Sequence, residues 1–286
     1  MTATDPAYDA VRRDGVLRIE RVATEWLSTG WSGGRWRGDC AYNVTVPDGW
    51  DRTDLGAYVD DRLERAGFDD PGDRRRDQSA DGGPRDAAGP VLLTGVDQAD
   101  ARGARCGSVT AYATAGISNP AALPMEPTRG SVHGLEGGEP EGDAREENGL
   151  GRDDTDEAAD RPGRGTVNVV VGTTRALAPG ALANLIAVAA EAKAATLLAE
   201  TGFPGTTTDA IVAGHDPSGE RTAFSGSATA VGEATRACVR DAVRASLRSH
   251  YANGDETVPE SVADATHGVS TDVRADVFEP PVADRQ

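Results

Sequence analysis

Between Gly165 and Glu233 the chain sets polar side chains into stretches that otherwise read as buried strand and buried helix. Asn168 lies in GTVNVVV, while Asn184, Glu191 and Lys193 lie in PGALANLIAVAAEAKAATLLAE. Thr206, Thr207, Thr208 and Asp209 lie in GTTTDAIV. A buried polar or charged group costs free energy unless it finds a partner, so polar residues recurring in three successive apolar elements point to a site. The three hydroxyls and the carboxylate of 206–209 could bind amide and hydroxyl groups of a ligand.

The spacing within the helix limits what these groups can do together. Asn184 and Glu191 are seven residues apart, which at about 100° per residue places them on nearly the same line. Lys193 is about 200° around the helix from Glu191, so the two cannot address one point. Either Glu191 with Asn184 lines the site, or Lys193 does. Lys193 is the one lysine in the chain, and every other basic residue is arginine. A retained lysine suggests a need for a compact, titratable ammonium that a guanidinium does not meet. Asn119, in the turn Gly116-Ile117-Ser118-Asn119-Pro120, joins Asn168, Asn184, Thr206, Thr207 and Thr208 as expected ligand-binding groups.

Other familiar patterns are set aside. Gly30-Trp31-Ser32-Gly33-Gly34 matches GxSxG, but Arg35-Trp36-Arg37-Gly38-Asp39 follows it, leading toward a strand where a nucleophile elbow needs a helix. There is no GxxxxGK[ST] and no dinucleotide GxGxxG. The four histidines, His133, His215, His250 and His267, share no metal-ligand spacing, so no protein-bound metal is expected. The three cysteines form no CxxC pair and are odd in number, which fits reduced thiols in a cytoplasmic protein. The N-terminus shows no apolar signal segment. The longest apolar stretch is interrupted by Glu191 and Lys193 and reads as a core helix, not a membrane insertion.

The elements that must position these residues read as an α+β fold, with a mixed, largely antiparallel sheet backed by two long helices. Strands are predicted at Val16–Val22, Ala41–Val46, Val91–Thr94, Ser108–Ala115, Thr166–Gly172 and Asp209–Gly214. Helices are predicted at Asp54–Gly67, Pro179–Gly202 and Thr229–His250. Two stretches, 69–89 and 126–164, are dense in Gly, Pro, Asp, Glu and Arg and are expected to be disordered insertions in a single domain spanning 1–252. Residues 253–286 are expected to form an acidic flexible tail. The net charge of −18, from 47 acidic against 29 basic residues, is that of a salt-adapted cytoplasm and opposes nucleic-acid partners.

The segments GTVNVVV, ALAPGALANLIAVAAEAKAA, GTTTDAIV and SGSATAVGEATRACVRDAV resemble the adenosylcobinamide amidohydrolase family of archaeal corrinoid salvage. STGWSGG, YNVTVP, VLLTGVD and ATAGISNPA add weaker similarity, and the two acidic insertions depart from the family pattern. The resemblance implies hydrolysis of the amide joining aminopropanol to the corrin ring of adenosylcobinamide, yielding adenosylcobyric acid and 1-amino-2-propanol. For that reaction Glu191 or Asp209 is expected to activate water, and Lys193 or the backbone amides of 205–207 to stabilise the oxyanion. It implies a corrinoid as the partner molecule, with cobalt arriving in the substrate and no further cofactor. The resemblance leaves open two rival readings. One is a corrinoid-binding protein without turnover. The other is an enzyme acting on a different amide through a hydroxyl nucleophile, Ser227 or Thr206.

Overall fold

The computed structural model describes residues 7–47, 54–68, 89–125, 165–254 and 256–280. The insertions expected at 69–89 and 126–164 lie outside the described residues, apart from Gly89. The principal sheet has eight strands in the order β4-β3-β2-β11-β8-β6-β5, with β1 paired to one half of β2. These are β1 (Asp9–Arg13), β2 (Val16–Ser28), β3 (Gly34–Thr45), β4 (Val91–Thr94), β5 (Arg102–Cys106), β6 (Val109–Ala115), β8 (Val167–Thr173) and β11 (Ala210–His215). Five short strands complete the set: β7 (Pro120–Ala122), β9 (Ala176–Leu177), β10 (Gly205–Thr206), β12 (Arg221–Thr222) and β13 (Val269–Ser270). The helices are α1 (Leu55–Arg65), α2 (Pro179–Thr201) and α3 (Ala230–His250). Most principal-sheet pairs are antiparallel, while β8–β11 and β3–β4 run parallel.

Local chemistry accounts for most boundaries. Asp14 and Gly15, both at positive φ, close the β1–β2 hairpin as an Asp-Gly turn, the strongest short hairpin signal. Asp54 caps α1 through Ala57 N at 2.9 Å. Pro179 opens α2, and Gly202, at φ 81°, ends it in the left-handed conformation. Thr229 caps α3 by accepting from Gly232 N at 3.0 Å.

β2 is interrupted by a bulge between Glu20 and Thr24, where Ala23 takes φ 57° and donates its N–H to Asp39 Oδ1 at 2.7 Å. The bulge lets β2 change partners. Residues before it lie between β1 and β3, and residues after it lie between β3 and β11. The sheet folds back over itself there, so that Leu17, Ile19, Trp26, Leu92, Val170 and Val212 form one buried layer inside the fold. On the outer face of β6, β8 and β11, Val169, Val171, Ile211 and Ala213 meet α2 through Leu182 and Leu185, and α3 through Val239 and Val243. Full burial of each such side chain is worth about 1.5–3 kcal/mol before chain entropy is counted. α1 covers the far side of β3 and β4 through Tyr58, Val59 and Leu63.

α2 is long and apolar enough to cross a membrane by length and composition. Here it packs one side on the sheet and α3. The segment expected as a flexible tail is in part structured: Val262–Asp264 forms a 3-10 turn and β13 pairs in parallel with β7.

Candidate active site

Topology gathers loops at one end of the sheet. β8 and β11 run parallel, so both begin at this end, with Asn168 opposite Ala210. α2 returns antiparallel between them and brings its C-terminal half to the same place. β6 and β2 are antiparallel to β8 and β11 and therefore finish there, delivering the turns 116–119 and 29–33.

Lys193 and Asp209 meet at this end as a buried ion pair, with side chains 10% and 11% exposed. Asp209 is held by four donors. Its Oδ1 accepts Val167 N at 2.9 Å and the Thr206 hydroxyl, and its Oδ2 accepts Thr206 N at 3.1 Å and the Lys193 ammonium. A carboxylate offers about four lone-pair positions, so Asp209 is fully engaged. The loop is tight: a Cβ on Gly205 would stand 2.7 Å from Asp209 Oδ2. Thr208 and Thr166 share a hydroxyl–hydroxyl bond of 2.9 Å. Thr207 N donates to the Asn119 carbonyl at 3.1 Å, joining the 116–119 turn to the same loop. Thr29 fastens the β2–β3 turn to β11, donating its N–H to Ile211 O at 3.0 Å and accepting Ile211 N on Oγ1 at 2.9 Å.

Six predicted site residues, Lys193, Asp209, Thr206, Thr207, Thr208 and Asn119, therefore form one cluster. Asn168 stands one residue from Val167 but points to the opposite face of the sheet. Its Nδ2 donates to Asn43 Oδ1 at 3.0 Å and Leu93 O at 2.9 Å, and Asn43 in turn donates to Thr114 Oγ1 at 2.9 Å. Asn119 Nδ2 and Asn168 Oδ1 are buried with no hydrogen-bond partner among the described residues.

Glu191 and Asn184 are not brought to the cluster. Glu191 lies on the outer face of α2, 62% exposed, and pairs with Arg236 at 3.1 Å. Asn184, near the start of α2, donates to Ser225 Oγ at 3.1 Å. Helix geometry keeps these two apart from Lys193, and of the three it is Lys193 that reaches the Asp209 cluster. Sequence reasoning passed over Asn43, Thr114, Thr166 and Thr29. Asn43, in YNVTV, carries the same signal as Asn168: an amide set between apolar strand residues.

At the other end of β11, burial lowers the pKa of His215 below its ordinary value, partly offset by Glu25 at 3.5 Å. Its Nδ1 accepts Leu177 N at 3.1 Å. Among the described residues no three His, Cys, Asp or Glu side chains converge as a metal centre would require.

At this end of the α+β scaffold the Lys193 ammonium, the Asp209 carboxylate, the hydroxyls of Thr166, Thr206 and Thr208, and Asn119 stand together. The chain matches the adenosylcobinamide amidohydrolase family over residues 2–255 and belongs to it. It is 51% identical over 273 residues to the adenosylcobinamide amidohydrolase of Halobacterium salinarum, spanning 96% of this chain and 100% of that relative. The salt-adapted composition fits a relative from that source.

Proposed function

We propose that this protein hydrolyses the aminopropanol amide of adenosylcobinamide, releasing adenosylcobyric acid and 1-amino-2-propanol in corrinoid salvage in the cytoplasm. The observation that carries the reading is family membership over nearly the whole chain, together with a relative of that name at 51% identity. The cluster supplies chemistry suited to it. Lys193 stabilises the oxyanion that forms as water adds to the amide carbon. The Thr206 hydroxyl, which donates to Asp209, takes the proton from the attacking water and passes its own to the carboxylate. That proton then goes to the departing amine. Asn119, Thr207 and Thr208 hold the carboxamides around the corrin, while Asn168, on the opposite face of the sheet, ties β8 to β3 and β4. Cobalt enters with the substrate, and no resident cofactor takes part. Glu191 and Asn184 have no role in this scheme.

The Thr206–Asp209 hydrogen bond also favours a second reading, in which Thr206 Oγ itself attacks the amide carbon. The amine leaves with the hydroxyl's proton, and water then cleaves the resulting ester. Incubating the purified protein with adenosylcobinamide in high salt, and following adenosylcobyric acid by mass, tests the activity. Absence of product, with the corrinoid bound unchanged, would refute it. A protein mass increase equal to the acyl fragment after rapid quenching would select the covalent route.

A further inference from the structure

We infer that residues 256–271 form a built-in strap that positions the lip of the active site. Beside the site, β7 and β10 pair antiparallel, with Gly205 opposite Ala121 and Thr206 opposite Pro120. The strand therefore starts one residue after Asn119 and ends against the loop that holds Asp209. β13 adds a third strand in parallel, Val269 opposite Ala121 and Ser270 opposite Ala122, and Thr271 N donates to Ala122 O at 3.0 Å. Two hydrogen-bonded residues of β7 would be a weak lip alone. The strap gives β7 a partner on its other side.

The segment carries its own folding instructions, which an unstructured acidic tail would not need. Ser261 and Asp264 form a capping box, with Ser261 N and Oγ both donating to Asp264 Oδ2 at 3.0 and 2.8 Å and Asp264 N donating to Ser261 O at 3.2 Å. Gly268 passes so close to the turn that a Cβ would stand 2.8 Å from Val262 O. Val258 and Val262 are partly buried against the core that the sheet shares with α2 and α3. The upstream end is moored where His250 stands between Asp100 at 3.1 Å and Glu256 at 3.3 Å. Most of this lies beyond residue 255, where the family match ends. It contributes no side chain to the cluster; its effect is on the backbone that holds Asn119 and Thr206.

Two variants of the full chain test the strap. Thr271→Pro removes the N–H that reaches Ala122, and Gly268→Val drives a side chain into Val262. Hydrogen exchange read by mass should rise about tenfold or more in peptides covering 117–122 and 204–208, with 234–247 in α3 unchanged. The KM for adenosylcobinamide should rise, and kcat should fall with it because Thr206 sits on the same backbone. The KM effect rests on the proposed reaction, whereas the exchange effect does not, so failure of one is separable from failure of the other. Unchanged exchange at 117–122 and 204–208 in both variants overturns the strap. A rise that extends through α3 does so too, since the segment would then belong to the global fold.

Discussion

The Lys193–Asp209 pair makes an asymmetric prediction about stability. Asp209→Ala leaves a buried ammonium without its counter-charge, and it also strips Val167 N, Thr206 N and the Thr206 hydroxyl of their acceptor. Breaking a buried pair from one side costs about 3–5 kcal/mol, and each neutral donor left unsatisfied adds about 1–3 kcal/mol where the loop cannot relax. Relaxation of the 205–209 loop offsets part of this, giving an expected loss of about 5 kcal/mol. Lys193→Met keeps three donors on the carboxylate and replaces the stem with one of similar shape, so about 1–2 kcal/mol is expected. The double variant should be less destabilised than the sum of the singles by at least about 1 kcal/mol. Urea unfolding in high salt, with the slope constant across variants, measures all three. Equal losses from the two single substitutions, or additive behaviour, would refute the account of Asp209 as the group that organises the loop.

Asn168→Ala should cost about 2–3 kcal/mol by the same urea assay, because Leu93 O loses its donor and Asn43 its partner inside the folded sheet. An effect below about 0.5 kcal/mol would mean the amide network is dispensable. Glu191→Gln should leave stability within about 0.5 kcal/mol and turnover within about twofold, since the residue is exposed and ion-paired at the surface. Loss of activity would restore it to the site. For His215, burial favours the neutral ring in the folded state, so the pKa is lower there than in the unfolded chain. The associated stability is present in full above the unfolded value of about 6.5 and falls as pH drops through it toward the lower folded value. His215→Gln should therefore flatten the loss of stability as pH falls below about 6.5, and an unchanged slope would show that the ring is not responsible.

Much of the fold was legible where pattern and punctuation agreed. Pro179 and Gly202 bracket α2, Thr229 and His250 bound α3, and β4 spans the predicted Val91–Thr94. The first hairpin escaped notice although Asp14-Gly15 marks it, because the strand before the turn is exposed and charged and lacks an apolar rhythm. The fold-back of the sheet depends on the bulge at Ala23, a non-glycine residue in the left-handed region that no composition reveals. Lys193 and Asp209 were both recognisable as candidates, but they are joined by the return of α2 and a tight loop. Their union is a property of the crossover. Glu191 and Asn184 lie away from the Asp209 cluster, which the sequence does not show because α2 is apolar on every side and leaves no stripe to mark the buried face. The tail illustrates the opposite case: its acidic composition hides the Ser261–Asp264 box and Gly268, which give it form.

Single-turnover cleavage of adenosylcobinamide by wild type and by Lys193→Met tests the central claim most directly, with corrinoid binding followed separately by absorbance. Wild type should release one 1-amino-2-propanol per adenosylcobyric acid. Lys193→Met should bind the corrinoid yet cleave it about 10²–10³-fold more slowly, as expected when an oxyanion-stabilising group is lost. Cleavage by Lys193→Met at the wild-type rate, or no cleavage by wild type, would contradict the account.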